Sequence, residues 1–592
     1  MFKHTILPLA VIASLSACNL DNTNKDENNS VEQQSLSINL VGRSVLNVES
    51  PEGAAEIVAY HKASQNIYAV NSSGDTATVE ILDGKNMNPD ALTEDAEGII
   101  TNTNLSILQT IAVSEDVEGD ANSIAIDDNN NLLAVAMAAK ETGQPGYIAF
   151  YDISATVPRF MKSVEVGFLP DMVTFSHDGL KAVVANEGEP SDDYSIDPVG
   201  TVSVIEINAG IPEDSASTIN FDFYNSMKAE LETQGVKFAN PHTQTRVSQD
   251  LEPEYVAISE DNARAFVSLQ ENNAIAVIDL TDNSLLKIFG LGFKSWNDYK
   301  LDVSDKDDMV NLQSYSNLYG MYQPDTIASY QLDGRNYILT ANEGDAREYI
   351  DPAFSGGSVE DENKAACLAA HPNGIYDFDD DEEVCFSYLE ESRIKDLDDI
   401  APFSADLEAL VTANGGKDGL GRLIVSTALG YNEMDNQYKD FYSYGARSFS
   451  IFAEDGELVF DSGDDFETMT FEFHGSAFNN DEDENEGDTR SDAKGPEPEA
   501  LTIGQVGSRT YAFIGLERMG GIFVYDITNP YETFYVDYFI NRGLTEGADI
   551  TGDLAPEGMK FVLAENSPTG EALLIIGNEI SGSVAVWEIK AR

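Results

Sequence analysis

One short unit recurs along this chain: an apolar strand, a polar turn carrying Asp, Asn or Gly, and a second apolar strand. The clearest copies are PDMVTFSHDGLKAVVANEGEP from Pro170, PEYVAISEDNARAFVSLQENN from Pro253, PDTIASYQLDGRNYILTANEGD from Pro324, PEALTIGQVGSRTYAFIGLER from Pro498 and PEGMKFVLAENSPTGEALLIIGNE from Pro556. Two degenerate copies precede them, AEIVAYHKASQNIYAVNSSGD from Ala55 and ANSIAIDDNNNLLAVAMAAKE from Ala121. A third strand often follows, as in GYIAFYDI, GTVSVIEI, AIAVIDL, GIFVYDI and GSVAVWEI. One such sheet cannot bury both of its apolar faces, whereas radial stacking of many can. The expected fold is all-β, a β-propeller, and seven copies imply seven blades. The hairpin ARSFSIFAEDGELVFDSG from Ala446 lies in the long interval between Asp325 and Glu499. It is read as the outer hairpin of the fifth blade, delayed by an insertion; the alternative is an eighth blade.

The chain divides into a leader, a tether and one large domain. Residues 1–17 combine a short basic start with an apolar run too short to span a membrane and a small-residue end, as in a signal peptide. Leu15-Ser16-Ala17-Cys18 resembles a bacterial lipoprotein signal, which implies a lipid on Cys18 and a place in the bacterial cell envelope, on a periplasmic or surface face. Plain secretion is the alternative. Residues 18–44, with DNTNKDENNSVEQQS, read as a flexible tether. Residues 45–592 read as the propeller, with insertions near 210–250, 283–320 and 345–445. Helical spacing appears in FDFYNSMKAELETQGVKF and in ESRIKDLDDIAPFSADLEALVTAN, where Pro402 makes a break. Cys367 and Cys385 bracket an acidic segment, and in an oxidising compartment they are expected to pair as a disulfide.

With 104 acidic residues against 34 basic, the net charge is −70. Such a chain lacks the basic footprint that nucleic acid or an anionic membrane surface requires, so membrane contact is expected only through the lipid. Cations are the expected partners, and the chain is read as a monomer.

The acids are not spread at random. In a propeller the residue opening a blade's innermost strand and the residue closing the next strand lie near the axis on one face. The acidic openers are Glu56, Asp171, Glu254, Asp325, Glu499 and Glu557; the closers are Glu187, Glu271, Glu343, Glu517 and Glu579. Asn122 and Ser72 depart from the pattern, so a fully symmetric ring is not expected. Openers can simply cap turns and closers can be solvated rim charges. Convergence of five opener–closer pairs argues for more, because two carboxylates about 5 Å apart at an effective dielectric of about 20 repel by about 3 kcal/mol. Raised pKa values, arginines or bound cations must offset that repulsion. The expected metal ligands are Asp171, Glu187, Glu254, Glu271, Asp325, Glu343, Glu499, Glu517, Glu557 and Glu579, and oxygen-only donors favour Ca²⁺ or Mg²⁺.

Arg347, Arg447, Arg490, Lys494 and Arg518 accompany these acids. They either neutralise the acidic face or grip an oxyanion such as phosphate. The run Asp481–Asp488 lacks EF-hand spacing and reads as a solvated loop. Nucleophile-elbow, P-loop, zinc-protease and dinucleotide motifs do not occur. A paired-carboxylate glycosidase has no specific support.

The stretches LPDMVTFSHDG, VANEGEPSDDY, QPDTIASY, ANEGDAREY, ARSFSIF, ENEGDTRSDAKGPEPEALTIG, LERMGGIFVYDITNP and LAPEGMKF resemble the choice-of-anchor I family over roughly residues 50 to 590. The resemblance implies a bacterial extracytoplasmic propeller-like body, with the Cys18 lipid as its anchor. Family members carry names such as alkaline phosphatase, phytase-like esterase or mesenchyme-specific glycoprotein; no catalytic residues are carried over. Two functions stay open: a metal-dependent phosphoester hydrolase acting on a small phosphoester, and a non-catalytic binding or adhesion propeller stabilised by Ca²⁺.

Overall fold

The computed structural model describes residues 35–592 apart from 48, 49, 75, 240–244, 308, 356–359, 372–376 and 380–383. The signal-peptide residues and Cys18 lie outside the described residues.

Each copy of the repeat supplies the first two strands of an antiparallel sheet, and in all but the last copy the strands that follow it complete the sheet. Ala54–His61, Asn66–Asn71, Thr78–Leu82 and Ile107–Ala112 pair in chain order, as do Asp120–Asp127, Leu132–Ala138, Pro145–Asp152 and Arg159–Phe168. The pattern repeats from Pro170–Phe175, from Val256–Ile258 and from Pro498–Val506. Second strands such as Leu132–Ala138 and Ala572–Asn578 are buried along their whole length, because a neighbouring sheet covers each face. Outer strands such as Arg159–Phe168 mix exposed and covered positions. The apolar cores lie between successive sheets. One joins Val183 and Val202 to Val267 and Ala276; another joins Leu339 and Phe449 to Ile514 and Phe523. A further core joins Leu573 and Val586 of the last sheet to Val58 and Ala69 of the first, so the ring closes and the fold is a β-propeller.

Closure uses a strand that composition concealed. Leu36–Val45 runs antiparallel to Ser583–Ala591, from Leu36 opposite Ala591 to Val45 opposite Ser583. This N-terminal strand is the fourth strand of the C-terminal sheet, and Arg43 Nε donates to Asp553 Oδ1 at 2.7 Å in a buried pair. The expected tether of residues 18–44 is corrected accordingly: residues 36–44 belong to the body, because LSINLVGRSV carries enough apolar surface to cover the last sheet.

The hairpin after Ala446 joins the fifth copy. Ser448–Ala453 pairs with Arg335–Asn342 and then with Leu458–Asp461, so the insertion lies between the second and third strands of that sheet. The expected insertions also shift at their starts. Ser217–Asn220 and Ser284–Gly290 are strands of their sheets, so the insertions near 210–250 and 283–320 begin after them. Chain from two insertions builds one side sheet, in the order Phe293–Ser295, Leu318–Met321, Phe441–Ser443, Ile424–Ser426 and Glu391–Arg393. Helices Ile394–Leu397 and Ala405–Ala413 pack on its core around Trp296 and Leu423, with Pro402 between them. Cys367 and Cys385 form a disulfide that ties the helix Glu360–Ala370 to the strand Val384–Leu389.

Candidate functional site: an axial field of carboxylates

The openers reach the axis through local backbone irregularities. At Glu56, Asn122, Asp171, Glu499 and Glu557 the pairing register slips, so each lies in a bulge at the start of an innermost strand. A bulge kinks the strand and re-aims its side chain. Four openers also follow a strained Xaa-Pro step. Leu169, Gln323, Glu497 and Ala555 have positive φ of 45°, 41°, 50° and 60°, and each precedes Pro and then the acid. Left-handed backbone at a non-glycine residue costs on the order of 1–3 kcal/mol, and surrounding structure must enforce it.

Two of the closers, Glu187 and Glu343, are placed by a three-residue device, Asn-Glu-Gly. Asn186 and Asn342 are fully buried and donate across the sheet, Asn186 to Ser203 Oγ at 3.0 Å and Asn342 to Ser450 Oγ at 2.9 Å. The following Glu187 and Glu343 then point inward. Gly188 and Gly344 turn the chain away at φ +70° and +93°, and a Cβ on Gly344 would lie 2.0 Å from the Gly445 nitrogen. Asn578 repeats the buried anchor before Glu579.

Three groups of carboxylates result, and in each the ligand oxygens lie within 4.8 Å of one another: Glu187, Glu254 and Glu271; Asp325, Glu343 and Glu499; and Glu343, Glu497 and Glu517. Each of the first two groups joins the acids of one sheet to an acid of its neighbour. Asp171, Glu557 and Glu579 face the same axis without entering a three-residue group among the described residues. They are felt electrostatically: Glu557 is pushed well up by burial, then by Glu56, Glu579, Asp325 and Asp171. Burial and the Glu271 charge raise Asp171 to about 7, and burial with Glu579 and Asp171 raises Glu56 to about 8. Burial, with the neighbouring carboxylates, also holds Glu187, Glu254, Asp325, Glu499 and Glu517 well above the ordinary range.

Glu254, Glu271 and Glu517 are more than nine-tenths buried, and the Oε2 atom of each has no hydrogen-bond donor among the described residues. Desolvated oxygens of this kind are costly unless something positive meets them. The donor sets contain carboxylates alone, which suits a hard divalent cation.

Basic residues lie close by, and each is already engaged. Arg347 Nε donates to Glu252 Oε2 at 3.0 Å and its Nη2 to the Asp250 carbonyl at 2.9 Å. Arg490 Nε donates to Glu497 Oε1 at 2.9 Å. Lys494 Nζ lies 2.7 Å from Glu343 Oε1 and 3.3 Å from Glu497 Oε2. Arg518 pairs with Glu482, and contacts Glu497 at 3.3 Å and Glu517 at 3.2 Å. Arg447 does not belong among oxyanion ligands. It is enclosed at 1% exposure, bonded to Glu467 and to the carbonyls of Asp302, Ser491 and Ala493, and it braces the loop that follows residue 478. That loop is not simply solvated: Asn479, Asn480, Asn485 and Ser491 are buried, and Arg542 donates to Asn480 Oδ1 at 2.7 Å.

Sequence reasoning missed Glu189, Glu252, Asp345 and Glu497. A signal was present, because acids stand two residues beyond the closer in NEGE and NEGD and two before the opener in LEPE and PEPE. Glu189, Glu252, Glu271 and Asp345 line a cavity of about 440 Å³ between this acidic field and the side sheet, together with Arg347, Arg490 and Lys494.

Residues 56–530 match the family model of the choice-of-anchor I domain. Among curated proteins, Gigasin-3a of Magallana gigas is 30% identical over 186 residues, 29% of this chain and 65% of the relative. Mesenchyme-specific cell surface glycoprotein of Strongylocentrotus purpuratus is 28% identical over 401 residues, 63% of this chain and 46% of the relative. The chain thus spans about half to two thirds of these relatives' lengths. Among solved structures, Kuenenia stuttgartiensis hydrazine synthase superposes with a TM-score of 0.40 at 12% identity, covering 90% of this chain and 95% of that one. The β-propeller domain of Myceliophteria thermophila Cps50 (Swd1) superposes with a TM-score of 0.37 at 7% identity, covering 94% and 99%. No described helix is long and apolar enough to cross a membrane.

Proposed function

The chain belongs to the choice-of-anchor I family, and from that premise we propose that it is a cell-surface propeller whose axial carboxylates bind divalent cations, Ca²⁺ or Mg²⁺. The carrying observation is the group Glu187, Glu254 and Glu271: its oxygens are mutually within 4.8 Å, two of its members are buried with an unpartnered Oε2, and neither Glu187 nor Glu254 has an ion-pair partner among the described residues. A bound cation stabilises the folded state by mass action. In the full chain, Ca²⁺ is expected to raise the melting temperature and to release protons as it binds. A variant carrying Glu187→Gln and Glu254→Gln should lose that gain. An equal gain in the variant would reduce the effect to charge screening and end the proposal.

The finer readings rest on this one. Arg347, Arg490 and Lys494 line a single cavity with Glu271, which favours a metal-dependent phosphoester hydrolase over a purely structural cation site. A divalent cation supplies charge neutralisation and an acidified water to such a reaction. Arg347 and Lys494 would exchange part of their carboxylate contacts for the equatorial oxygens of a phosphate. A panel of phosphomonoesters and diesters with and without Ca²⁺ tests it; no turnover in any metal condition leaves the non-catalytic binding propeller. Anchoring through a Cys18 lipid is the proposed address, and release of a Cys18→Ser variant into the soluble fraction is the expected outcome.

A further inference from the structure

The cavity beside the first carboxylate group is lined by more acidic than basic residues. Its three basic residues are committed to acids: Arg347 to Glu252, Arg490 to Glu497, and Lys494 to Glu343 and Glu497. Glu189, Asp345 and Glu391 also line it, and none of these has a cation within 4 Å among the described residues. At the cavity wall Glu271 is 6% exposed, and its Oε2 lacks a hydrogen-bond donor, with Arg347 Nη2 standing off at 4.0 Å.

We propose that this cavity binds an organic cation, an ammonium group on an alkyl stem, with Glu189, Asp345, Glu391 and Glu271 as its counter-ions. A metal ion does not fit these acids, because no three of them bring ligand oxygens within 4.8 Å of one another. Spread around about 440 Å³, they match a cation with some length. The wall between them is partly apolar and aromatic: Ile424, Tyr349 and Tyr444 line the same space. Such surface takes an alkyl stem and favours an ammonium near a ring face. The chain already uses one of these rings in this way, since Lys237 Nζ lies 5.3 Å over the Tyr444 ring. Without a divalent cation a bare anion is disfavoured, because it would have to displace carboxylates from Arg347, Arg490 and Lys494 among an excess of acids.

The proposal does not depend on divalent cations, and its test is run in EDTA. Spermidine is titrated into the full chain by calorimetry at physiological ionic strength. Saturable binding is expected, weakened about tenfold or more in a Glu189→Gln, Glu391→Gln variant and unchanged in Glu254→Gln, which lies in the metal group but not in the cavity lining. Should the double variant fail to fold, Asp345→Asn gives the same reading. A lysine-containing peptide that competes with spermidine identifies a protein side chain as the natural source; a peptide that does not compete identifies a free amine. Equal spermidine affinity in parent and double variant would overturn the proposal. So would saturable binding of inorganic phosphate in EDTA that is lost in Lys494→Ala.

Discussion

Two carboxylate groups on the same face of the propeller are built alike and compensated differently. Glu187, Glu254 and Glu271 on one side and Glu343, Glu497 and Glu517 on the other each gather oxygens within 4.8 Å. The second group has cations of its own: Lys494 bridges Glu343 and Glu497, Arg490 holds Glu497, and Arg518 meets Glu497 and Glu517. Among the described residues the first has only Arg347, 4.0 Å from Glu271 and bonded more closely to Glu252. Placement of acids is therefore a property of the repeat, whereas neutralisation comes partly from residues outside the repeated hairpins, such as Arg490 and Lys494. A group supplied with lysine and arginine is a salt-bridge network; in the other, buried carboxylate oxygens lack a close cation of the chain's own among the described residues.

The largest effect is expected from erasing that difference. Lys494→Ala leaves Glu343 and Glu497 without their shared ammonium, with side chains of Lys494 and Glu497 only 19% and 0% exposed. Burial opposes the Lys494 charge, yet Glu343, Glu497 and Asp345 outweigh it and hold its pKa well above the ordinary value. Denaturant unfolding in EDTA should show a loss of about 3–5 kcal/mol, and Ca²⁺ should restore part of it by entering a group it previously ignored. A loss that Ca²⁺ does not touch would mean that the two groups are not alike in geometry.

The next effect is smaller and opposite in sign. Glu254→Gln removes a buried carboxyl group that its neighbours repel when it ionises, so in EDTA it should stabilise the fold by about 1 kcal/mol, with the gain growing as pH rises. The same substitution should abolish most of the Ca²⁺-dependent gain. Destabilisation in EDTA would show that Glu254 is held by a partner rather than repelled.

The smallest effect per group, though summed over several, is the dependence on pH. Asp171 at about 7 and Glu56 at about 8 are raised from ordinary values of 3.8 and 4.5, chiefly by burial. Raised carboxyl groups bind protons more tightly in the folded state. Their contribution is therefore complete below the unfolded values, and it is lost as pH climbs through about 7 to 8. In EDTA the melting temperature should fall by several degrees between pH 5.5 and pH 8.5, and saturating Ca²⁺ should flatten the curve. A flat curve without Ca²⁺ would place the unfolded-state values of these groups much nearer the folded ones than burial implies.

How much of this was legible depends on the distance over which each feature is encoded. The openers and closers could be read, because each is local to a repeated hairpin and recurs at matched positions; Glu254 and Glu271 stand in one copy, as do Asp325 and Glu343. The pieces that position several of them, a Pro before the opener and Asn-Glu-Gly at the closers Glu187 and Glu343, are also written within a few residues. Leu36–Val45 was missed because its partner strand, Ser583–Ala591, is at the other end of the chain, and beside a polar segment a lone apolar stretch carries no repeat to mark it. Compensation of charge was missed for the same reason. Lys494 reaches Glu343 across 151 residues and Arg347 reaches Glu252 across 95. From sequence alone, Arg447, Arg490 and Arg518 looked equivalent, each a basic residue beside acids. The tertiary structure enclosed Arg447 as a brace and set Arg490 and Arg518 on Glu497. The repeat by itself determined a closed ring of sheets with acids at its axis, because hydrophobic periodicity and hairpin chemistry act over a few residues. Which acids are neutralised and which stay open was decided only by folding, because a charge is paired by whatever lies within about 4 Å of it in space.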